Sequence, residues 1–236
     1  MQEIMLKILK NIRNSFFLFA ILLLGFSNLE AKNSKDVSNT EVKKKTISHK
    51  KKYSLKLVNS KDGHPVRSGK KSYRFEVRLG DCGKDSGHDD CKKDRQRTEL
   101  QFKKHQKDKK DYWYSASIYL PNDYQSVAPV RTTFVQLYER GWKPILMVTD
   151  RTGEWLEIGR MWSGEYVEMK KALKINDMKG KWTDILISGR FSREEDGFMK
   201  VWVNNKLILN AENIKNLTPY TKRGVGLDFG IYQTFV

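Results

Sequence analysis

The chain has 236 residues and a formal net charge of +17 at pH 7, with 39% hydrophobic and 11% aromatic residues. Residues 1–31 carry +1 and residues 32–52 carry +6, which leaves +10 on 53–236. A basic tail alone therefore does not account for the charge, and the folded part is expected to meet an anionic partner.

Lys7, Lys10 and Arg13 precede an uninterrupted apolar run from Phe16 to Phe26, and Ala31 offers a small residue before a cut. This is the pattern of a secretory signal, residues 1–31. The run falls short of the roughly 20 residues needed to span a bilayer, so no stable membrane insertion is expected after cleavage. No cysteine follows closely, which argues against a lipoprotein. Residues 32–52 are lysine-rich without apolar periodicity and read as a disordered linker. An exported basic domain, periplasmic or secreted, suits an acidic polysaccharide better than nucleic acid, for which no binding motif is present.

Residues 53–236 suffice for one domain with a single core, expected as a monomer. Tyr73, Phe75, Val77 and Leu79 alternate with Arg74, Glu76 and Arg78, as in a half-buried strand. Gly80 to Lys93 is a polar loop containing the chain's two cysteines, Cys82 and Cys91. In an oxidising compartment they read as a disulfide closing a small loop. Metal binding with His88 is the weaker alternative, because no fourth ligand has suitable spacing.

Strands follow at Asp94–Phe102, Tyr112–Leu120, Thr132–Glu139, Pro144–Val148 and Glu154–Trp162, and Met169–Met178 holds one helical turn or none. Trp182–Phe191 is a further strand. Phe198–Val203 and Lys206–Leu209 form a hairpin about Asn204-Asn205, since Asn tolerates the positive φ that such a turn demands. Val225–Phe235 closes the chain, with Asp228, Gly230, Tyr232 and Thr234 on one face. Many short strands and no amphipathic helix indicate a β-sandwich.

Three strands pair an apolar face with a face of hydrogen-bonding groups. Arg95, Arg97, Glu99 and Gln101 lie on the first, Gln136 and Tyr138 on the second, and Tyr232 on the last. Together they describe a concave sheet whose exposed face suits an acidic ligand, with guanidinium forks matched to carboxylates. His64 could reach such a groove from its edge, whereas His49 falls in the linker and His105 in a charged turn. Trp113, Trp155, Trp162, Trp182 and Trp202 are assigned to the core, with one or two able to stack on sugar rings.

Taken in order, Arg74-Phe75-Glu76-Val77-Arg78-Leu79-Gly80-Asp81-Cys82, Asp94-Arg95-Gln96-Arg97-Thr98-Glu99-Leu100, Trp113 to Pro121, Gly180-Lys181-Trp182-Thr183-Asp184, Val201 to Leu207 and Phe229-Gly230-Ile231-Tyr232 resemble the jelly-roll polysaccharide lyases. The similarity is to the glucuronan-lyase and heparin-lyase-I-like group, more distantly to the alginate lyases, over residues 62 to 235. It implies a β-jelly-roll (concanavalin-like) sandwich and β-elimination on a uronic-acid polymer. That reaction needs a neutralised carboxylate beside the C5 proton, a base for that proton, and an acid for the departing glycosidic oxygen.

By this resemblance Tyr232 is the acid and a candidate base, Gln136 helps neutralise the carboxylate, and Arg97 holds the same or a neighbouring sugar. Glu99 would orient Arg97, and the Arg97 guanidinium would acidify the tyrosine. The chain departs from the pattern at Tyr138, where alginate lyases have histidine, and at Asp228, where many relatives have lysine. Tyr138 is then the alternative base. No cofactor is expected. Some relatives bind calcium structurally, but no carboxylate cluster calls for it. Two rival readings are a non-catalytic carbohydrate-binding module of the same fold, and a hydrolase pairing Glu99 with Glu157.

Overall fold

In the computed structural model the described residues are 51–84, 89–102, 106–139, 143–220 and 224–234, with the backbone of 44–48. The signal-like segment, His49, His88, His105 and Phe235 lie outside them.

Thirteen strands run through the described residues. They are β1 (Lys44–Ser48), β2 (Leu55–Asn59), β3 (Lys71–Phe75), β4 (Arg95–Phe102), β5 (Asp111–Tyr119), β6 (Arg131–Glu139) and β7 (Pro144–Asp150). After these come β8 (Trp155–Trp162), β9 (Glu165–Lys174), one helical turn α1 (Ile175–Met178), β10 (Trp182–Arg190), β11 (Gly197–Val203), β12 (Lys206–Ile214) and β13 (Val225–Thr234). A seven-stranded sheet has the order β1-β4-β13-β6-β7-β8-β9, and a four-stranded sheet has the order β12-β11-β10-β5. All the pairings are antiparallel.

The two sheets face each other as a β-jelly-roll sandwich. Val135, Leu137, Leu146, Val148, Leu156 and Ile158 of the larger sheet meet Ile185, Ile187, Met199, Val201, Val203 and Leu209 of the smaller one in a single apolar cluster. Period-two alternation puts these on the inner faces and leaves the alternate residues outside. Ile175 and Met178 of α1 plug the same core. The β2–β3 hairpin forms a separate two-stranded sheet, and its Tyr73 and Phe75 rings pack edge-on against Phe229.

Several expectations are corrected here. Lys44–Ser48, placed in the linker by composition, pairs with β4 from Lys44↔Phe102 to Ser48↔Thr98. An edge strand needs backbone pairing on one side only, so it can form without an apolar period. The strand expected through Leu79 stops at Phe75, beyond which Glu76 forms ion pairs with Arg74 and Arg78. The segment before Met178 contains the ten-residue strand β9. Trp113 is 64% exposed and stacks on Trp202 with ring centroids 5.8 Å apart, on the outer face of the smaller sheet and not in the core. The hairpin turn is as expected, with Asn204 and Asn205 at φ 47° and 65°.

Candidate active site

The register of β6, β13 and β4 sets side chains in rows across the outer face of the larger sheet. Directly opposed residues of an antiparallel pair share a face. Arg131, Thr234 and Arg95 form the first row, followed by Thr133, Tyr232 and Arg97. Gly230 and Glu99 come next, then Gln136, Asp228 and Gln101, and last Tyr138 and Gly226. A bulge between Phe229 and Tyr232, with Gly230 at φ 142°, brings Tyr232 opposite Thr133. Phe134, which strict alternation would set beside Gln136 on this face, is instead buried in the core cluster, because β6 is also bulged between Thr133 and Val135.

Arg97 is the pivot of these rows. Its Nε and Nη2 donate to the two carboxylate oxygens of Asp90 at 2.7 and 2.6 Å. Its Nη1 stands 3.6 Å from Glu99 Oε2. Asp90 therefore holds Arg97 by two hydrogen bonds, and Glu99 forms an ion pair with its remaining nitrogen. Asp90 precedes Cys91, whose disulfide with Cys82 closes the loop as expected. The guanidinium lies over the Tyr232 ring, 4.3 Å from its centroid, with that of Arg95 at 6.0 Å.

Gln136 Nε2 donates to Glu99 Oε1 at 3.0 Å. Gln101 and Tyr138 both approach the Asp228 carboxyl. Tyr138 reaches across β13 because residue 226 is glycine: a Cβ there would lie 2.4 Å from the Tyr138 hydroxyl. Arg131 donates to the Tyr166 hydroxyl at 3.0 Å and to Thr234 Oγ1 at 3.4 Å.

This face is largely covered at its centre, against the expectation of an exposed floor. Glu99, Gln136, Asp228 and Tyr232 are all buried. Flat-lying Arg97 and Tyr138 side chains explain part of the cover. Burial also dominates the electrostatics. It pushes Glu99 up to about 8, with repulsion from Asp228 adding to it against the pull of Arg97 and the Gln136 amide. It pushes Asp228 up to about 7, against the pull of Gln101, Arg97 and Tyr138.

Burial likewise raises the Tyr232 phenol, although Arg97 and Arg95 pull it down. The expected acidification by guanidinium is thus present but outweighed. In this state Tyr232 is a proton donor, not a phenolate. Desolvation works against the charge on Arg97, yet its carboxylate partners hold it above the ordinary arginine value.

The structure brings Arg95, Arg97, Glu99, Gln101, Gln136, Tyr138 and Tyr232 onto one face. His64 is elsewhere. It follows the turn after β2, three residues before Arg67, whose guanidinium pairs with Asp184 on the smaller sheet. Glu157 is buried against Arg151 on β8. Four strand spacings separate it from Glu99 on β4, about 19 Å, about twice the widest gap between paired glycosidase carboxylates. The hydrolase pair is not formed. Sequence reasoning missed Asp90, Arg131 and Tyr166. The position of Asp90 beside a loop-closing cysteine was a usable signal, whereas Tyr166 carried none.

The chain's geometry has a counterpart among solved structures. It is similar to the endo-β-1,4-glucuronan lyase of the fungus Trichoderma reesei, with a TM-score of 0.60 and 13% identity over 79% of this chain and 78% of that one. No curated protein sequence matches it. At such identity the likeness establishes the fold, and a sequence-level match carries the rest. The family described as polysaccharide lyase matches residues 37–234, from ahead of β1 to the last residue of β13. On that match the chain belongs to the polysaccharide lyase family.

Proposed function

We propose that this lyase is exported and cleaves a uronic-acid-containing polysaccharide by β-elimination. The observation that carries the reading is the Tyr232 phenol lying under the Arg97 guanidinium, one row from Glu99 and two from Gln136 and Asp228. A uronate seated on these rows meets Arg97, Arg95 and Gln136 at its carboxylate. Its C5 proton passes to a base, and the C5–H electron pair becomes the C4–C5 double bond. The C4–O pair leaves with the glycosidic oxygen, which takes the Tyr232 proton. Tyr138 is the base candidate on the opposite side of β13, and Tyr232 itself is the alternative. The basic residues of the domain and the disulfide fit an anionic polymer met outside the cytoplasm. The Trichoderma relative makes linear β-1,4-glucuronan the first substrate to try.

The test is ultraviolet detection of the new double bond when the protein is incubated with a panel of polyuronates and sulfated uronans. Absorbance should rise on at least one polymer. Tyr232→Phe should lower turnover by about 100-fold or more while leaving binding on an affinity gel intact. Absence of unsaturated product from every uronate polymer would overturn the reading, as would a Tyr232→Phe variant with full turnover.

A further inference from the structure

The site has more carboxyl groups than its bound guanidinium can neutralise. Glu99 and Asp228 sit in adjacent rows of neighbouring strands and are only 1% and 5% exposed. Oε2 of Glu99 and Oδ1 of Asp228 lack a hydrogen-bond partner among the described residues. Arg97 has two of its N–H groups committed to Asp90. Arg95 and Arg131 lie in the far row, beside Thr234. Two buried carboxylates this close do not both ionise at modest cost. Two such anions would also repel a uronate.

Resting on the lyase reading above, we propose that Glu99 and Asp228 share a proton and present it to the substrate's uronate carboxylate. The neutralisation that makes C5 acidic then comes from a carboxylic acid, through a hydrogen bond that strengthens as the carboxylate takes up charge. No bond forms to the protein. The shared proton returns to the pair when the unsaturated product leaves, and the C5 and Tyr232 protons move as described above. The titratable groups facing the pair are Arg97 from β4, Tyr232 from β13, Tyr138 from β6 and Asp90 from the turn before β4. The raised affinity of both acids for protons is consistent with this role.

The experiment is a set of pH–rate profiles for wild type, Asp228→Asn and Glu99→Gln, with thermal melts to confirm folding. Wild-type kcat/KM should fall about tenfold per pH unit above the titration of the pair. Each amide remains a donor and does not ionise, so each variant should keep its activity at pH values where wild type has lost it. If both folded variants retain the wild-type alkaline limb, the proposal is wrong. If they are inactive at every pH, the pair acts as a base, and the proposal is again wrong. A third measurement needs no variant: titration calorimetry of an oligouronate in buffers of different ionisation enthalpy should show proton uptake on binding above pH 8. Lack of uptake would sink the acid pair. A wild type that yields no unsaturated product points instead to the uronate reading itself.

Discussion

At the residue scale, the fork of Arg97 is held by an acid that no catalytic argument had singled out. Asp90 is 1% exposed and grips two nitrogens of a guanidinium that is itself largely buried. Removing one partner of such a pair leaves the other charge buried without compensation. Asp90→Ala should therefore cost about 3 kcal/mol in urea denaturation and should reduce turnover as well, since Arg97 is free to leave the Tyr232 ring. An unchanged denaturation midpoint would show that Asp90 is not the brace described here. Asp228 is instructive in a different way. It stands where, by the resemblance, many relatives have lysine. A buried carboxyl that keeps its proton is neutral and can donate, so the change of residue need not abolish the donor.

At the element scale, the site depends on register. β13 carries Tyr232 and Asp228 between β4 and β6, and a one-residue slip would turn both into the core. Its Gly226 is what lets Tyr138 lie across the strand. Gly226→Ala should displace that ring, costing about 1–3 kcal/mol through overpacking and lowering activity in a variant that still folds. Full activity would show that the place of Tyr138 is immaterial to the reaction.

Much of this scale was legible in the sequence. The alternation of β4 gave the correct face for Arg95, Arg97, Glu99 and Gln101, and the Asn204-Asn205 turn was read correctly. The disulfide followed from an even pair of cysteines close in sequence. What was illegible depended on contacts between strands remote in sequence. The bulge that buries Phe134, the crossing of Tyr138 over Gly226 and the backbone pairing of β1 leave no periodic trace. Likewise nothing near Arg67 in sequence reveals that it is drawn to Asp184.

At the scale of the whole molecule, two populations of carboxyl groups act oppositely on stability. Glu76, Asp89, Asp184 and Asp196 sit below their ordinary values, the first and third mainly through arginine partners. The stability they add is present above the ordinary carboxyl range and is lost as pH falls through their lowered values. Glu99 and Asp228 behave in reverse. The unfolded chain releases their protons near pH 4, whereas burial keeps the folded pair protonated to between about 7 and about 8. Between those limits the folded state binds more protons, so stability falls as pH rises. Melting temperatures should accordingly peak on the mildly acidic side of neutrality. Asp228→Asn should flatten the decline between pH 5 and pH 8, and an equally steep decline in that variant would refute this origin.

The cystine between residues 82 and 91 gains a further meaning from its neighbour. The acid that grips Arg97 is joined by a peptide bond to one of the bridged cysteines, so the bridge and the guanidinium over Tyr232 are connected through a single residue. The bridge thus limits where Asp90 can stand, and through Asp90 where the Arg97 fork can lie. A loop closure at the rim of the sheet is in this way also a constraint on its centre.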